Sequence, residues 1–202
     1  EAFDKVAKML DLPYPGGPEV EKLALSVSKG WRDTIDFPRP MLNQKNYDFS
    51  FSGLKTAVLY HLKTRTNADG NAEQRGKILR KSASSLPRSE LRSATWGLRE
   101  SAAADIAAAF QEAAVEVLVQ KTLRAAKEFK AKSVILAGGV ASNLSLQKDL
   151  KLKIKNEKLK INLLIPLKKF CTDNAAMIAV AAYINWLNGK KRSPRVNANL
   201  NL

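Results

Sequence analysis

Residues 133–146 read SVILAGGVASNLSL: an apolar run ends at a glycine pair, and a small polar cluster then opens a helical pattern. This order predicts a strand, a tight turn at Gly138-Gly139, and a helix that begins at Asn143. Glycines let backbone N–H groups approach a ligand, and a helix N-terminus favours a phosphate or the polar edge of a nucleotide. A plain turn with Asn143 as helix cap fits the same pattern, so both interpretations stay open.

The rest of the chain predicts mainly helices, with a few short strands between them. The predicted helices cover 1–10, 18–29, 56–64, 98–130, 143–154 and 173–187, and the predicted strands lie in 47–55, 133–137 and 160–166. Helix, strand, helix, strand, helix in the second half predicts an α/β fold with a mostly parallel sheet. Pro18 suits the first position of the second helix. The expected buried positions are Phe3, Val6, Ala7, Leu10, Ile106, Phe110, Ala113, Val117 and Leu118.

Charge is the strongest compositional signal. The chain has 34 Lys and Arg against 19 Asp and Glu, a formal charge of +15 and a pI near 10.0. Residues 130–169 alone contain ten lysines and two acidic residues. Neutralising phosphates releases condensed counterions, so this field favours a polyanion such as RNA. A solvated basic surface is the simpler interpretation, and charge alone does not separate RNA from DNA.

Other totals narrow the class of protein. No run of roughly 18 uncharged apolar residues is present, so a membrane-spanning helix is not expected. The single cysteine, Cys171, excludes an internal disulfide framework and fits a reducing cytosol. The chain opens on the amphipathic EAFDKVAKML without an initiating Met or an apolar leader, so we expect it to begin inside a larger protein.

Few residues offer catalytic chemistry on their own. A second glycine pair, Gly16-Gly17, lies at the mouth of a helix in YPGGPEVEK and strengthens the case for a nucleotide cleft. Asp173 in FCTDN is a predicted helix cap, and His61, the only histidine, is expected to be a packed or surface residue. The sequence contains no histidine pair, no cysteine cluster, no Walker loop and no Gly-x-Ser-x-Gly elbow.

Four stretches in order change the interpretation: EAFDKVAKMLDLPYPGGP, FSFSGLKTA, LAGGVASN and FCTDNAAMIA. Together they resemble the C-terminal portion of the tRNA adenosine threonylcarbamoyltransferase family, also known by the older name O-sialoglycoprotein endopeptidase. The resemblance leaves out only about 63–97. It implies the C-terminal lobe of an actin-like fold of the sugar-kinase and heat-shock-protein class, incomplete at its N-terminus. The implied division is 1–64 as the start of the lobe with a nucleotide-contacting loop, 65–96 as a basic insertion or long connection, 97–190 as its αβαβα core, and 191–202 as a basic tail.

The resemblance also implies the site residues. Matched to the family motifs, the substrate- or nucleotide-contacting residues would be Asp4, Gly17, Glu21, Gly138, Gly139 and Asn143. Asp173 would be a metal ligand, and no side chain of this chain would act as a catalytic nucleophile. The family's two other metal ligands form a His-x-x-x-His motif in an N-terminal lobe, and this motif is absent here.

The family transfers a threonylcarbamoyl group from threonylcarbamoyl-adenylate to the amine of a tRNA adenosine beside the anticodon, with one divalent metal ion of the iron or zinc class. The resemblance therefore implies a cytoplasmic tRNA-modifying enzyme lobe, inactive alone. Its partners would be tRNA, the missing N-terminal lobe, other proteins of the threonylcarbamoyladenosine synthesis complex or a second copy, but no membrane. Two alternatives remain: a lobe of another actin-like carbamoyltransferase or kinase, and a non-catalytic module that binds tRNA or a partner protein.

Overall fold

The computed structural model describes residues 1–27, 35–68 and 100–189, and their side chains except those of 65–68 and 100–101. The tail predicted at 191–202 and nearly all of the connection predicted at 65–96 lie outside the described residues, as does the end of the helix predicted for 18–29. Within the described ranges, no helix combines the length and the apolar character needed to cross a membrane.

The described elements form a largely helical α/β arrangement. The helices are α1 (Ala2–Met9), α2 (Gly16–Leu25), α3 (Ser52–Ala68), α4 (Glu100–Glu128), α5 (Leu144–Asn156) and α6 (Ala175–Leu187). The strands are β1 (Ser133–Ile135) and β2 (Asn162–Leu164), and short 3-10 turns occupy Gly139–Ser142 and Lys168–Phe170. The predicted order of helix, strand, helix, strand and helix in the second half is therefore confirmed.

Helix α4 carries both parts of the hydrophobic core. Its N-terminal half packs against α1, α2 and α3, and Phe3 meets Phe110 edge to face with ring centroids 5.0 Å apart. Its C-terminal half packs against α5 through Val115, Val119 and Leu150. The predicted buried positions are confirmed, except that Leu118 is only partly buried beside this second cluster. A run of alanines along α4 lets the neighbouring helices approach it closely.

The α1–α2 corner depends on close packing at a glycine. A Cβ at Gly16 would lie 2.5 Å from the Cβ of Ala7 and 2.7 Å from the Cα of Asp4, so a side chain there would clash. Helix α2 begins at Gly16 and not at Pro18, so the predicted first position of Pro18 was wrong. Pro18 is nevertheless tolerated in the first turn, because the N–H groups of that turn have no partner within the helix.

The strand predicted within 47–55 was also wrong. The chain is irregular up to Phe51 and α3 begins at Ser52. The backbone carbonyls here are bound by a side chain and not by a neighbouring strand. Lys121 of α4, which is almost fully buried, donates from Nζ to the carbonyl oxygens of Asn46 (3.1 Å) and Asp48 (2.7 Å). The start of this alternating aromatic and polar segment is therefore held against α4 by the hydrogen bonds of Lys121.

The two described strands pair in parallel, with Ser133 opposite Asn162 and Ile135 opposite Leu164. Both are shorter than predicted. Leu163, with Leu136 just beyond β1, packs toward the core shared by α4 and α5. On the alternate positions, Ile135 and Leu164 are exposed, so one face of this sheet is uncovered. Parallel sheets normally have both faces covered, and this one therefore presents an apolar surface.

Helix α6 has an unusual environment for its composition. Its sequence, AAMIAVAAYINWL, contains no charged residue, and yet none of its residues is buried. It begins at Ala175, two residues after the predicted start at Asp173. Asn174 is the N-cap, and its side chain accepts a hydrogen bond from the N–H of Met177 at 2.9 Å. Asp173 is therefore not the cap, which corrects that prediction.

Candidate nucleotide pocket

Three separate stretches of the chain meet around a cavity of about 430 Å³. They are α1 with the turn into α2, the glycine turn after β1, and the segment just before α6. The described lining residues are Glu1, Phe3, Asp4, Tyr14, Pro15, Gly17, Pro18, Glu21, Gly139, Val140, Ser142, Asn143, Lys168, Cys171 and Thr172. The fold thus brings together Asp4, Gly17, Glu21, Gly139 and Asn143, five of the predicted contact residues.

Asp4 lines the pocket and also holds its first wall in place. Its Oδ1 accepts a hydrogen bond from the backbone N–H of Gly16 at 2.9 Å, where α2 begins. The first N–H groups of a helix lack partners within the helix, and a carboxylate at this end is favoured by the helix dipole. The aspartate of the FDK motif therefore fixes the glycine turn of the YPGGP motif.

Glu21 does the same for the second wall. It lies on α2, and its Oε1 accepts a hydrogen bond from the backbone N–H of Leu144 at 2.6 Å, at the first residue of α5. A residue 123 positions away along the chain thus ties the YPGGP helix to the helix after the GGVASN turn. The first backbone N–H of each of the two helices at this pocket is therefore bound by a carboxylate of the protein itself.

Asn143 is the N-cap of α5, as the sequence predicts. Its Oδ1 accepts from the N–H of Leu146 at 2.9 Å, and its Nδ2 donates to Oε1 of Gln111 at 2.8 Å. Asn143 lines the pocket, although only 6% of its surface is exposed. Gln111 was not among the predicted site residues; the one sign of it in the sequence is a polar residue directly after Phe110 on the buried stripe of α4.

The glycines of the two motifs differ in their surroundings. Gly138 has φ of 81°, a conformation that favours glycine, and it is not among the lining residues. Gly139 lies beside Thr172, whose Cγ2 would be 3.9 Å from an added Cβ. A Cβ at Gly17 would meet nothing within 4 Å. Gly17 and Gly139 therefore keep the pocket open, whereas Gly138 shapes the turn.

Asp173 is exposed and lies just outside the cavity, next to the lining residue Thr172. The described residues contain no group of three or more His, Cys, Asp or Glu side chains that could hold a metal ion. Cys171 is buried, and its Sγ faces the carbonyl oxygens of Pro166 and Leu167 at 3.9 and 3.6 Å. One carboxylate does not make a metal site, so the described residues alone do not fit one.

Charge is unevenly distributed around the pocket. Glu1, Asp4 and Glu21 supply carboxylates, and Lys168 is the one Lys or Arg side chain among the described lining residues. A hydrogen bond and the positive charge of Lys5, 2.9 Å away, lower the pKa of the Glu1 carboxyl, so it is ionised. A larger cavity of about 640 Å³ lies between α4 and α5, but none of the predicted site residues lines it.

His61 is a packed residue, as predicted. It lies on α3, and its ring meets that of Phe37 edge to face with centroids 5.7 Å apart. It is not among the residues that line the pocket, so the geometry gives it no part in the site.

The family model of tRNA N6-adenosine threonylcarbamoyltransferase matches residues 1–180. A Thermosipho africanus protein of that name is 42% identical over 202 residues, all of this chain and 50% of that protein. A Geobacillus kaustophilus protein of the same name is 45% identical over 202 residues, 49% of its length. The chain thus spans about half the length of the curated relatives it matches. With a family model covering most of its residues, the chain belongs to the tRNA N6-adenosine threonylcarbamoyltransferase family.

Proposed function

We propose that this chain is the nucleotide-holding part of an enzyme that transfers threonylcarbamoyl from threonylcarbamoyl-adenylate to a tRNA adenosine beside the anticodon. The observation that carries the proposal is the convergence of the FDK, YPGGP and GGVASN motifs on one cavity, beside the CTDN motif. The family membership and the parallel β-strand pair support an actin-like C-terminal lobe. We propose two parts of this lobe, 1–64 and 97–190, and α4 of the second part packs against α1, α2 and α3 of the first.

The charges indicate how an adenylate would lie. Asp4 and Glu21 each place a carboxylate at a helix N-terminus, of α2 and of α5, and these negative charges disfavour a phosphate at either end. Carboxylates suit the ribose hydroxyls or the amino group of a base, because both can donate hydrogen bonds. We therefore propose the nucleoside at this end of the pocket, with the phosphate toward Lys168.

The transfer itself needs little from the protein besides positioning. The tRNA amine attacks the carbamoyl carbon of the mixed anhydride, a C–N bond forms, the C–O bond to the phosphate breaks, and AMP leaves with the electron pair while the amine loses its proton to solvent. Holding the adenylate and the amine together supplies the entropic advantage of an intramolecular reaction. No protein nucleophile is required, and Cys171 is buried against backbone carbonyl groups.

We propose Asp173 as one ligand of the divalent metal ion that the family resemblance implies. Its carboxylate is exposed and lies one residue beyond the pocket. The remaining ligands would have to come from a part of the protein outside this chain, since the described residues supply no complete set. An isolated carboxylate holds a divalent ion weakly, so we expect the chain alone to bind the metal poorly and to lack transferase activity.

The exposed apolar surface of α6 is suited to contact a part of the protein outside this chain. Ile178 and Trp186 are 63% and 60% exposed, and a helix that is apolar on all sides is normally buried. An isolated helix of this length is marginal in water. The relatives are twice as long as this chain, and the match to the Thermosipho africanus protein includes α6. We propose that the half of the family protein outside this chain covers α6.

A basic surface supports a second candidate function, a tRNA-binding module without catalysis. Lys148, Lys151, Lys153 and Lys155 are all exposed on α5, and further lysines lie on either side of it. Such a module would bind tRNA with strong salt dependence, and binding would survive both Asn143→Ala and Asp173→Ala. As part of the transferase, the same surface would position the tRNA. We propose that the enzyme acts in the cytoplasm with other proteins of the modification pathway.

Calorimetric titration with AMP tests the pocket. We expect one AMP per chain, and we expect Gly139→Val to weaken binding by about 10-fold or more because the new side chain enters the cavity. The melting temperature should hardly change, since an added Cβ would meet only Thr172 at 3.9 Å. Ser133→Val, at an exposed position of β1 outside the pocket, is the control. Absence of AMP binding, or equal binding by Gly139→Val, would refute the assignment.

A further inference from the structure

Most hydrogen-bonding groups of Asn143 already have a partner within the protein. Its backbone N–H donates to Val140 at 3.0 Å, and its backbone oxygen accepts from Gln147 at 3.2 Å. Its Oδ1 is taken by the N–H of Leu146 and one Nδ2 hydrogen by Gln111. An asparagine amide has two N–H hydrogens and an oxygen with two lone pairs, so one Nδ2 hydrogen and one Oδ1 lone pair remain for a nucleotide.

The partner that holds this amide is itself buried. Gln111 is 7% exposed and Asn143 is 6% exposed, and they are 32 positions apart along the chain. Within the described residues, the buried polar or charged side chains are these two and Lys121. Removing either partner of a buried hydrogen bond between amides lowers the free energy of unfolding, because the remaining amide has neither water nor another group to bond with.

We propose that Gln111 is a positioning residue of the nucleotide pocket. Its side-chain oxygen, together with the N–H of Leu146, sets the orientation of the Asn143 amide, and with it the directions of the Nδ2 hydrogen and the Oδ1 lone pair that remain for the ligand. Gln111 is not among the residues that line the cavity and acts only through Asn143. This inference rests on the proposed nucleotide pocket and adds a residue on α4 to its construction.

Binding experiments test the role in positioning. Gln111→Leu removes the acceptor, and we expect AMP affinity to fall by about 10-fold. Gln111→Glu keeps an oxygen that can accept from Asn143 and should bind AMP within about 3-fold of wild type. Gln120→Leu is the control. Gln120 is on the same helix but outside the pocket, and its side-chain amide donates a hydrogen bond to Glu116. Equal AMP affinity in wild type and Gln111→Leu would overturn the proposal.

A double-variant cycle tests the contact itself. In Asn143→Asp the cap persists, and the Gln111 amide can turn to donate its NH₂ group to the new carboxylate. Combining Asn143→Asp with Gln111→Glu instead places two carboxylates at the 2.8 Å contact. At neutral pH, we expect the melting temperature of the double variant to fall by much more than the sum of the two single decreases. This excess decrease should shrink below about pH 5, where the two carboxyl groups share a proton.

The two experiments separate the possible failures. Additive melting effects, with no dependence of the excess on pH, would show that Gln111 does not hold Asn143 and would overturn the inference. A wild-type chain that does not bind AMP would instead refute the proposed nucleotide pocket, and the melting cycle would still decide whether Gln111 sets the Asn143 amide. Non-additive melting together with weak AMP binding by Gln111→Leu is the result we expect.

Discussion

At the scale of single residues, the two glycines of the YPGGP motif have different tasks although they are neighbours. Gly16 lies where α1 and α2 touch, and an added Cβ would clash with Ala7 and with the backbone of Asp4. Gly17 faces open space and lines the pocket. One glycine therefore permits the packing of two helices, and the other keeps room for a ligand.

This difference predicts that the same substitution destabilises the protein at Gly16 and has little effect at Gly17. Gly16→Ala should lower the free energy of unfolding by about 1–3 kcal/mol, because the extra methyl group forces α1 and α2 apart. Gly17→Ala should leave it unchanged within about 0.5 kcal/mol, since nothing lies within 4 Å of the new atom. Urea unfolding of both variants measures the effects. Equal stabilities would contradict the close packing at Gly16.

At this scale, motif residues were predictable and their hydrogen bonds were not. The position of Asn143 before an apolar helical pattern correctly predicted a cap. In the CTDN motif, aspartate and asparagine are both good caps, and the register of α6 selects Asn174 over Asp173. The contacts of Glu21 with Leu144 and of Gln111 with Asn143 join distant parts of the chain. No local pattern in the sequence indicates such pairs.

At the scale of elements, α4 organises both the core and the irregular segment that precedes α3. Arg124 donates to the carbonyl oxygens of Leu42 and Gln44 at 2.9 and 2.5 Å, and Lys121 binds those of Asn46 and Asp48. Of these four carbonyl groups, that of Asp48 lies in the predicted strand, and it is bound by Lys121 of α4 and not by a neighbouring strand. The period of two in YDFSFSG therefore predicts a strand that does not form.

The buried ammonium group should matter more than a surface one. Lys121→Met leaves the carbonyls of Asn46 and Asp48 without their donor, and we expect a loss of about 3 kcal/mol in the free energy of unfolding. Lys127→Met is the control: Lys127 is half exposed, its ion pair with Glu157 is at the surface, and its loss should cost less than about 1 kcal/mol. Chemical denaturation measures the free energy of unfolding of both variants. Similar losses in Lys121→Met and Lys127→Met would contradict the proposal that Lys121 holds the segment before α3 against α4.

At the scale of the whole molecule, the uncovered apolar surfaces are the main feature that the sequence pattern did not reveal. A helical and a strand pattern predict which residues are apolar, but not whether their partners belong to the same chain. Ile135 and Leu164 on the sheet and nearly every residue of α6 are exposed here. These surfaces together fit a protein of which the chain spans about half.

We therefore predict that α6 mediates association with the other half. The chain should co-purify with the part of the Thermosipho africanus protein that it does not match, and Ile178→Asp should abolish this because it buries an unpaired charge. Leu152→Asp is the control, since Leu152 is an exposed apolar residue on α5. A stable dimer of the chain that depends on α6 and excludes the other half would contradict the prediction.

The most direct test of the central claim is transfer of labelled threonylcarbamoyl from its adenylate to tRNA. We predict no product with the chain alone at any metal concentration, because the described residues offer Asp173 as a single proposed ligand. Product should appear when the other half is supplied, and Gly139→Val should remove it. Transfer by the chain alone, or transfer by the two halves that is unchanged in Gly139→Val, would contradict the claim that this chain supplies the nucleotide pocket and needs the other half of the family protein for transfer.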